Sequence, residues 1–127
     1  MPNALKFTVA PLSLAFFAYL SFTQKGALTY SAFFYAYAMI PLIELFLKND
    51  DRNLSEFEKS LAKRNPIYDF VLYFSVALHL FLLGTFLFSI TDSGLQTFEI
   101  VGRTLSMGLL TTFAINLGHE LGHRQTW

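Results

Sequence analysis

Cysteine is absent from the 127 residues. That excludes disulfides and thiolate metal sites, and leaves imidazole and carboxylate as the candidate metal ligands. Charge is scarce as well: 14% of residues are charged, against about 25% in soluble domains. Nine basic and nine acidic residues cancel, so there is no basic footprint and nucleic acid is not an expected partner. Internal repeats and low-complexity tracts are also missing. What the chain has is apolar bulk, with 54% hydrophobic residues and 15 phenylalanines and a mean hydropathy of +0.44. These values point to lipid as the solvent.

The apolar residues fall into four stretches, at about 5–22, 27–47, 67–90 and 100–117. Each is close to the ~20 residues with which a helix crosses ~30 Å of hydrocarbon. A bilayer leaves no water to satisfy a bare backbone, so helices are the expected form. The expected fold is therefore all-α: an integral membrane bundle of about four transmembrane helices, arranged as two hairpins within a larger bundle. Lys6 gives the first stretch the look of a signal peptide, but no small-residue cleavage site precedes Thr23. The turn Thr23-Gln24-Lys25-Gly26 reads instead as the tip of a tight helical hairpin. Pro11 and Pro41 lie within apolar helices, where membranes tolerate them, and a kink is expected near Pro41. The fourth stretch is the least apolar, with Thr104, Ser106, Thr111, Thr112 and Asn116 inside it.

The polar linker 48–66 carries Lys48, Arg52, Lys59, Lys63 and Arg64 beside Asp50, Asp51, Glu56 and Glu58. Ser55-Glu56-Phe57-Glu58 opens a candidate interfacial helix with Leu54, Phe57 and Leu61 on one side, although a solvated cytoplasmic loop accounts for the composition equally well. With the N-terminus in the cytoplasm, Lys6, the five linker cations and Arg124 lie inside. That places seven of the nine Lys and Arg there, with Lys25 and Arg103 outside. Positive charge favours the cytoplasmic side, so the C-terminal end of the fourth helix is expected to face the cytoplasm.

That end reads Asn116-Leu117-Gly118-His119-Glu120-Leu121-Gly122-His123-Arg124. Four residues apart on a helix, His119 and His123 are rotated by ~40° and displaced by ~6 Å, so both imidazoles reach one metal ion. Glu120 points ~100° away, toward a neighbouring helix or an adjacent acid–base position. Gly118 and Gly122 leave room for another helix. The plainer alternative is a pair of helix-capping cations at an interface. His79, in the middle of the third stretch, is ionisable at membrane depth and a functional candidate on that ground. A neutral histidine bonded to a neighbouring helix explains it more simply. Glu44 and Asp69 are candidate partners of a metal site, with interfacial exposure the simpler reading. Phe33, Phe34, Tyr35 and Tyr37 are candidate linings of a substrate channel, with lipid-facing packing again simpler.

His-Glu-x-x-His also fits zinc proteases, in which the glutamate is the general base. Context separates the two chemistries. The segment from Asn116 to Arg124 resembles the first histidine box of the membrane alkane 1-monooxygenases, within the fatty acid desaturase and hydroxylase superfamily. Ile40-Pro41-Leu42-Ile43-Glu44 and the following Asn49-Asp50-Asp51-Arg52-Asn53 resemble that family's segment closing the second helix. The order of hairpin, linker, hairpin and histidine box is similar too. The resemblance implies a non-haem diiron centre on the cytoplasmic side of a bacterial inner membrane, with His119 and His123 as iron ligands. It also implies dioxygen as co-substrate, a rubredoxin-type electron donor, and hydroxylation of the terminal carbon of an alkane or related chain. Glu120 belongs to the box, with at most a supporting role. Arg124 stands where the family usually has lysine, and the later histidine boxes are missing. The expectation is an N-terminal portion of a longer enzyme, inactive alone. Another superfamily member, a membrane zinc protease and a non-catalytic membrane subunit are the alternatives.

Overall fold

Leu14, Ala15, Ala18, Ser21 and Phe22 recur at helical spacing, and they form the buried stripe among the described side chains of the first helix. The computed structural model describes residues 2–46 and 66–123, with side chains from residue 8 onward. Among them every regular element is helical. Helix α1 is Pro2–Thr23 and α2 spans Gly26–Phe46. Helix α3 is Pro66–Ser89 and α4 is Thr97–Gly122. The linker charges, the candidate interfacial helix at Leu54, Phe57 and Leu61, the Asn49–Asn53 segment and Arg124 lie outside the described residues.

Helices α2, α3 and α4 are long and apolar enough to cross a membrane, while α1 contributes a shorter apolar stretch, Thr8–Thr23. The chain is thus an all-α membrane bundle. Helix α1 packs against all three others. Its stripe meets Ala32 of α2, Leu82 of α3, and Met107 and Leu110 of α4 in the buried core. Aromatic contacts extend this core: Phe17 stacks on Tyr35 at 4.4 Å and Phe22 lies 5.4 Å from Phe86. Burial of such rings is the main source of stability available between helices once they leave the lipid, together with hydrogen bonds and close approach.

The α1–α2 turn falls where the sequence places it. Gly26 adopts φ +66°, a left-handed conformation that glycine takes without steric penalty. Helix α2 then starts as a 3₁₀ turn, Gly26–Tyr30, and widens to a π turn over Tyr35–Met39, where Ile40 N–H donates to the Tyr35 carbonyl. Pro41 has no N–H and its ring crowds the carbonyl four residues back. A kink is the expectation near Pro41; what α2 shows there is a widened turn just before the proline.

Polar side chains bind the helices internally. Ser106 Oγ lies 3.1 Å from both Ser21 Oγ and the Thr29 carbonyl, its single proton shared between the two acceptors. Ser31 Oγ donates to the Phe17 carbonyl at 2.7 Å. Buried hydroxyls with partners avoid the penalty of bare polar groups in an apolar medium.

Candidate metal centre

Helix α4 sets the geometry of the histidine pair. Gln96 and Glu99 form a capping box at its N-terminus, satisfying two of the amides that a helix start leaves open. Glu99 also accepts from Gly26 N–H at 2.6 Å, which ties this end to the α1–α2 turn. The helix continues unbroken to Gly122, five residues beyond the apolar stretch at 100–117. His119 thus lies in the last turn of the helix and His123 is its C-cap, with His123 N–H donating to the His119 carbonyl at 3.3 Å.

The rings converge. His119 Nε2 and His123 Nε2 are 3.2 Å apart, and the ring centroids are 4.6 Å apart at 87°. Two nitrogens bound side by side to one metal at about 2.1 Å each lie about 3 Å apart. The pair therefore fits two adjacent ligands of a first-row metal ion. The ring nitrogens meet each other rather than the last carbonyls of the helix, at a distance that also suits a hydrogen bond between the two rings.

The pair faces away from the bundle. Leu110, Ala114, Leu117 and Leu121 continue the packed stripe of α4 and are buried or half-buried. At about 100° per residue, His119 stands on the opposite side of the helix from Leu110 and Leu117. Both histidines and Glu120 are exposed. Side chains built at Gly118 and Gly122 would meet nothing within 4 Å, so the room expected there exists, and no described helix fills it.

Among the described residues no group of three His, Cys, Asp or Glu side chains comes together as a metal site. His79 is half-buried and looks the other way. It lines a small apolar cavity of about 30 Å³ between α1, α3 and α4, with Ser75, Leu14, Leu110 and Phe113. Helix phase thus separates it from His119 and His123. Glu44 is exposed on the last segment of α2, and Asp69 sits half-buried in the first turn of α3. Tyr35 is used in packing, with its hydroxyl on Ser13 Oγ at 2.6 Å. Phe34 and Tyr37 face outward, at 60% and 65% exposure, which fits lipid-facing surface rather than a channel lining.

Arg103, expected on the outer side, is buried, and beside it stands Glu99, which the sequence pattern does not single out. The Arg103 guanidinium donates to the carbonyls of Ser89 at 2.7 Å and Gln24 at 2.8 Å, joining three helix ends. Nearby, Lys25 pairs with Asp92 at 3.3 Å on the surface. Glu99 and Arg103 sit four apart at the start of a helix, and that spacing was the available signal. They close the end of the bundle opposite to the histidines.

No family model matches the chain, and no solved structure matches it. Among curated proteins it is similar to alkane 1-monooxygenase 1 of Alcanivorax borkumensis, at 29% identity over 89 residues. The alkane 1-monooxygenases of Pseudomonas putida and Ectopseudomonas oleovorans match over the same length, at 29% and 27% identity. Each match covers 70% of this chain and 22% of the relative, so the chain spans about a fifth of the length of the curated relatives it matches. In sequence, 89 residues of this chain are thus similar to part of the alkane 1-monooxygenases.

Proposed function

We propose that this chain is the membrane-embedded, first-histidine-box part of an alkane 1-monooxygenase-like enzyme, with His119 and His123 as ligands of a non-haem diiron centre. The observation that carries this reading is the convergence of the two Nε2 atoms at 3.2 Å at the end of one continuous helix. Imidazole suits iron and zinc alike. The similarity to alkane 1-monooxygenases favours iron over a zinc protease, and favours an enzyme over a non-catalytic subunit. It also supports a superfamily relation to the desaturases and hydroxylases.

In this reading iron supplies dioxygen activation, and the protein's own residues do the rest. His119 and His123 would hold the metal through their Nε2 atoms, which the last turn of α4 keeps adjacent. Glu120 lies to one side of the pair, as a positioning group rather than a ligand. Two imidazoles do not complete a diiron site, so the remaining ligands come from polypeptide outside the described residues. The distribution of Lys and Arg favours a cytoplasmic box and N-terminus, within reach of a rubredoxin-type donor. The substrate is an alkane or related chain arriving from the lipid.

The test is turnover in native membranes. With an n-alkane, ¹⁸O₂ and reductant, the account expects ¹⁸O-labelled primary alcohol, lost in His119→Ala and in His123→Ala. Unlabelled product, or peptide hydrolysis in place of hydroxylation, counts against it.

A further inference from the structure

The end of the bundle away from the histidines holds a groove of about 480 Å³, within the range of small-ligand pockets. Three helix termini frame it: α1 ends at Thr23, α3 ends at Ser89 and α4 begins at Thr97. The groove therefore lies where membrane gives way to water. Phe22 and Phe88 form its apolar wall, and Lys25, Asp92 and Arg103 supply its charges.

The polar groups in the groove are of two kinds. On the donor side, the Lys25 ammonium is exposed and paired with Asp92 at 3.3 Å. Arg103 commits Nη1 and Nη2 to the Ser89 and Gln24 carbonyls, while its buried Nε has no partner among the described residues. Nearly all buried N–H groups in folded proteins have an acceptor, so this one marks a place for an anionic oxygen, met directly or through one water. On the acceptor side, the hydroxyls of Thr23, Thr85 and Thr91 also line the groove. Each gives its proton to a carbonyl three or four residues back, at 2.8, 2.9 and 2.7 Å, which leaves lone pairs. The Asp92 carboxylate stands beside them, 45% exposed. A simple anion would meet Asp92 and the hydroxyl lone pairs, and a simple cation would meet Lys25 and Arg103. A group carrying both signs suits both sets of partners. Its phosphate faces Lys25 and Arg103, and its primary ammonium, with three N–H donors, faces Asp92 and the hydroxyls. A quaternary ammonium has no N–H to give them.

We propose that this groove binds the phosphoethanolamine headgroup of a membrane phospholipid. A lipid is favoured over a free phosphate ester by the apolar surface that continues from the groove. Phe88 is 83% exposed, and farther along the same two helices Tyr19 of α1 and Phe81 of α3 stack at 6.5 Å, both exposed. Acyl chains lie along these rings while the headgroup bridges the ends of α1 and α3. The site is independent of the metal-site reading.

Native mass spectrometry of the protein released from mild detergent tests this. Phosphatidylethanolamine, phosphatidylcholine and phosphatidylglycerol with identical acyl chains would be offered in turn. The expected result is one retained phosphatidylethanolamine, several-fold above the other two lipids. Asp92→Asn is expected to lower its retention about two- to fivefold, the effect of an exposed charge contact, toward that of phosphatidylcholine. Lys25→Gln is expected to weaken both, and Leu80→Ala, outside the groove, to weaken neither. The headgroup preference of the wild-type protein is read without any variant, so a misfolded variant leaves the test intact. Equal retention of the three lipids overturns the proposal, and so does stronger retention of phosphatidylglycerol, which marks a plain anion site. Unchanged retention in both Asp92→Asn and Lys25→Gln removes the headgroup from this groove. Competition by free O-phosphoethanolamine at the same concentration as the lipid overturns the lipid as its source.

Discussion

Gly102 is a point of close approach between α4 and α2, and replacing it with alanine tests the packing directly. A Cβ at this position would collide with Thr29 Oγ1 and lie 2.6 Å from two carbons of the Tyr30 ring, where carbon contacts are normally ~3.5–4.0 Å. Neither neighbour can yield easily. Thr29 is fully buried with its hydroxyl on the Gly26 carbonyl at 2.8 Å. Tyr30 is anchored through its hydroxyl to the Phe98 carbonyl at 2.9 Å. Helix α4 must therefore move, straining the Ser106–Thr29 and Tyr30–Phe98 hydrogen bonds, at about 1 kcal/mol each. Overpacking adds about 1–3 kcal/mol, and the better helix propensity of alanine offsets about 1 kcal/mol. The expected net loss is about 2–4 kcal/mol. Unfolding of the purified chain by sodium dodecyl sulfate in mixed micelles would measure it, with Gly108→Ala as the control in open space, expected to unfold no earlier than the wild type. Equal stability of Gly102→Ala and wild type would refute the close α2–α4 approach.

Three further outcomes follow from the same contacts. Arg103→Met deprives the Ser89 carbonyl of its donor, and the same titration should show a loss of about 1–3 kcal/mol. Asp92 is held below its ordinary value near 3.8 by the Gly94 N–H and then by Lys25. Its stabilising effect is thus present above that value and fades as pH falls through the lower folded pKa. Unfolding midpoints between pH 5 and pH 2 should therefore fall less steeply in Asp92→Asn, with the difference shrinking in high salt. His79→Leu should leave the iron content of the holoprotein unchanged, because its ring faces the α1–α4 cavity, and iron analysis of the purified variant checks this.

Four helices, their hairpin turn and the spacing of the histidines were legible in the sequence, because apolar length and the helical repeat act locally. Gly26 announced the turn by the same logic. Three features were not local. The burial of Arg103 depends on the carbonyls of Ser89 and Gln24, which lie 14 and 79 residues away in sequence. The π turn ahead of Pro41 shows that a proline's lost hydrogen bond is absorbed upstream, where sequence gives only an approximate position. The direction in which the histidines face follows from which side of α4 packs. That side was ambiguous in a helix where threonine, serine and glycine occur all round. His79 shows the same limit: its depth in the membrane was evident, but its phase relative to His119 became clear only once α3 and α4 were docked.

Whether His119 and His123 are metal ligands is tested most directly by metal analysis of the protein purified in detergent from its native membrane. The expected result is about two irons per complete enzyme, lost in His119→Ala and in His123→Ala while the helical content is retained. One zinc per chain, or iron that survives both substitutions, would contradict it.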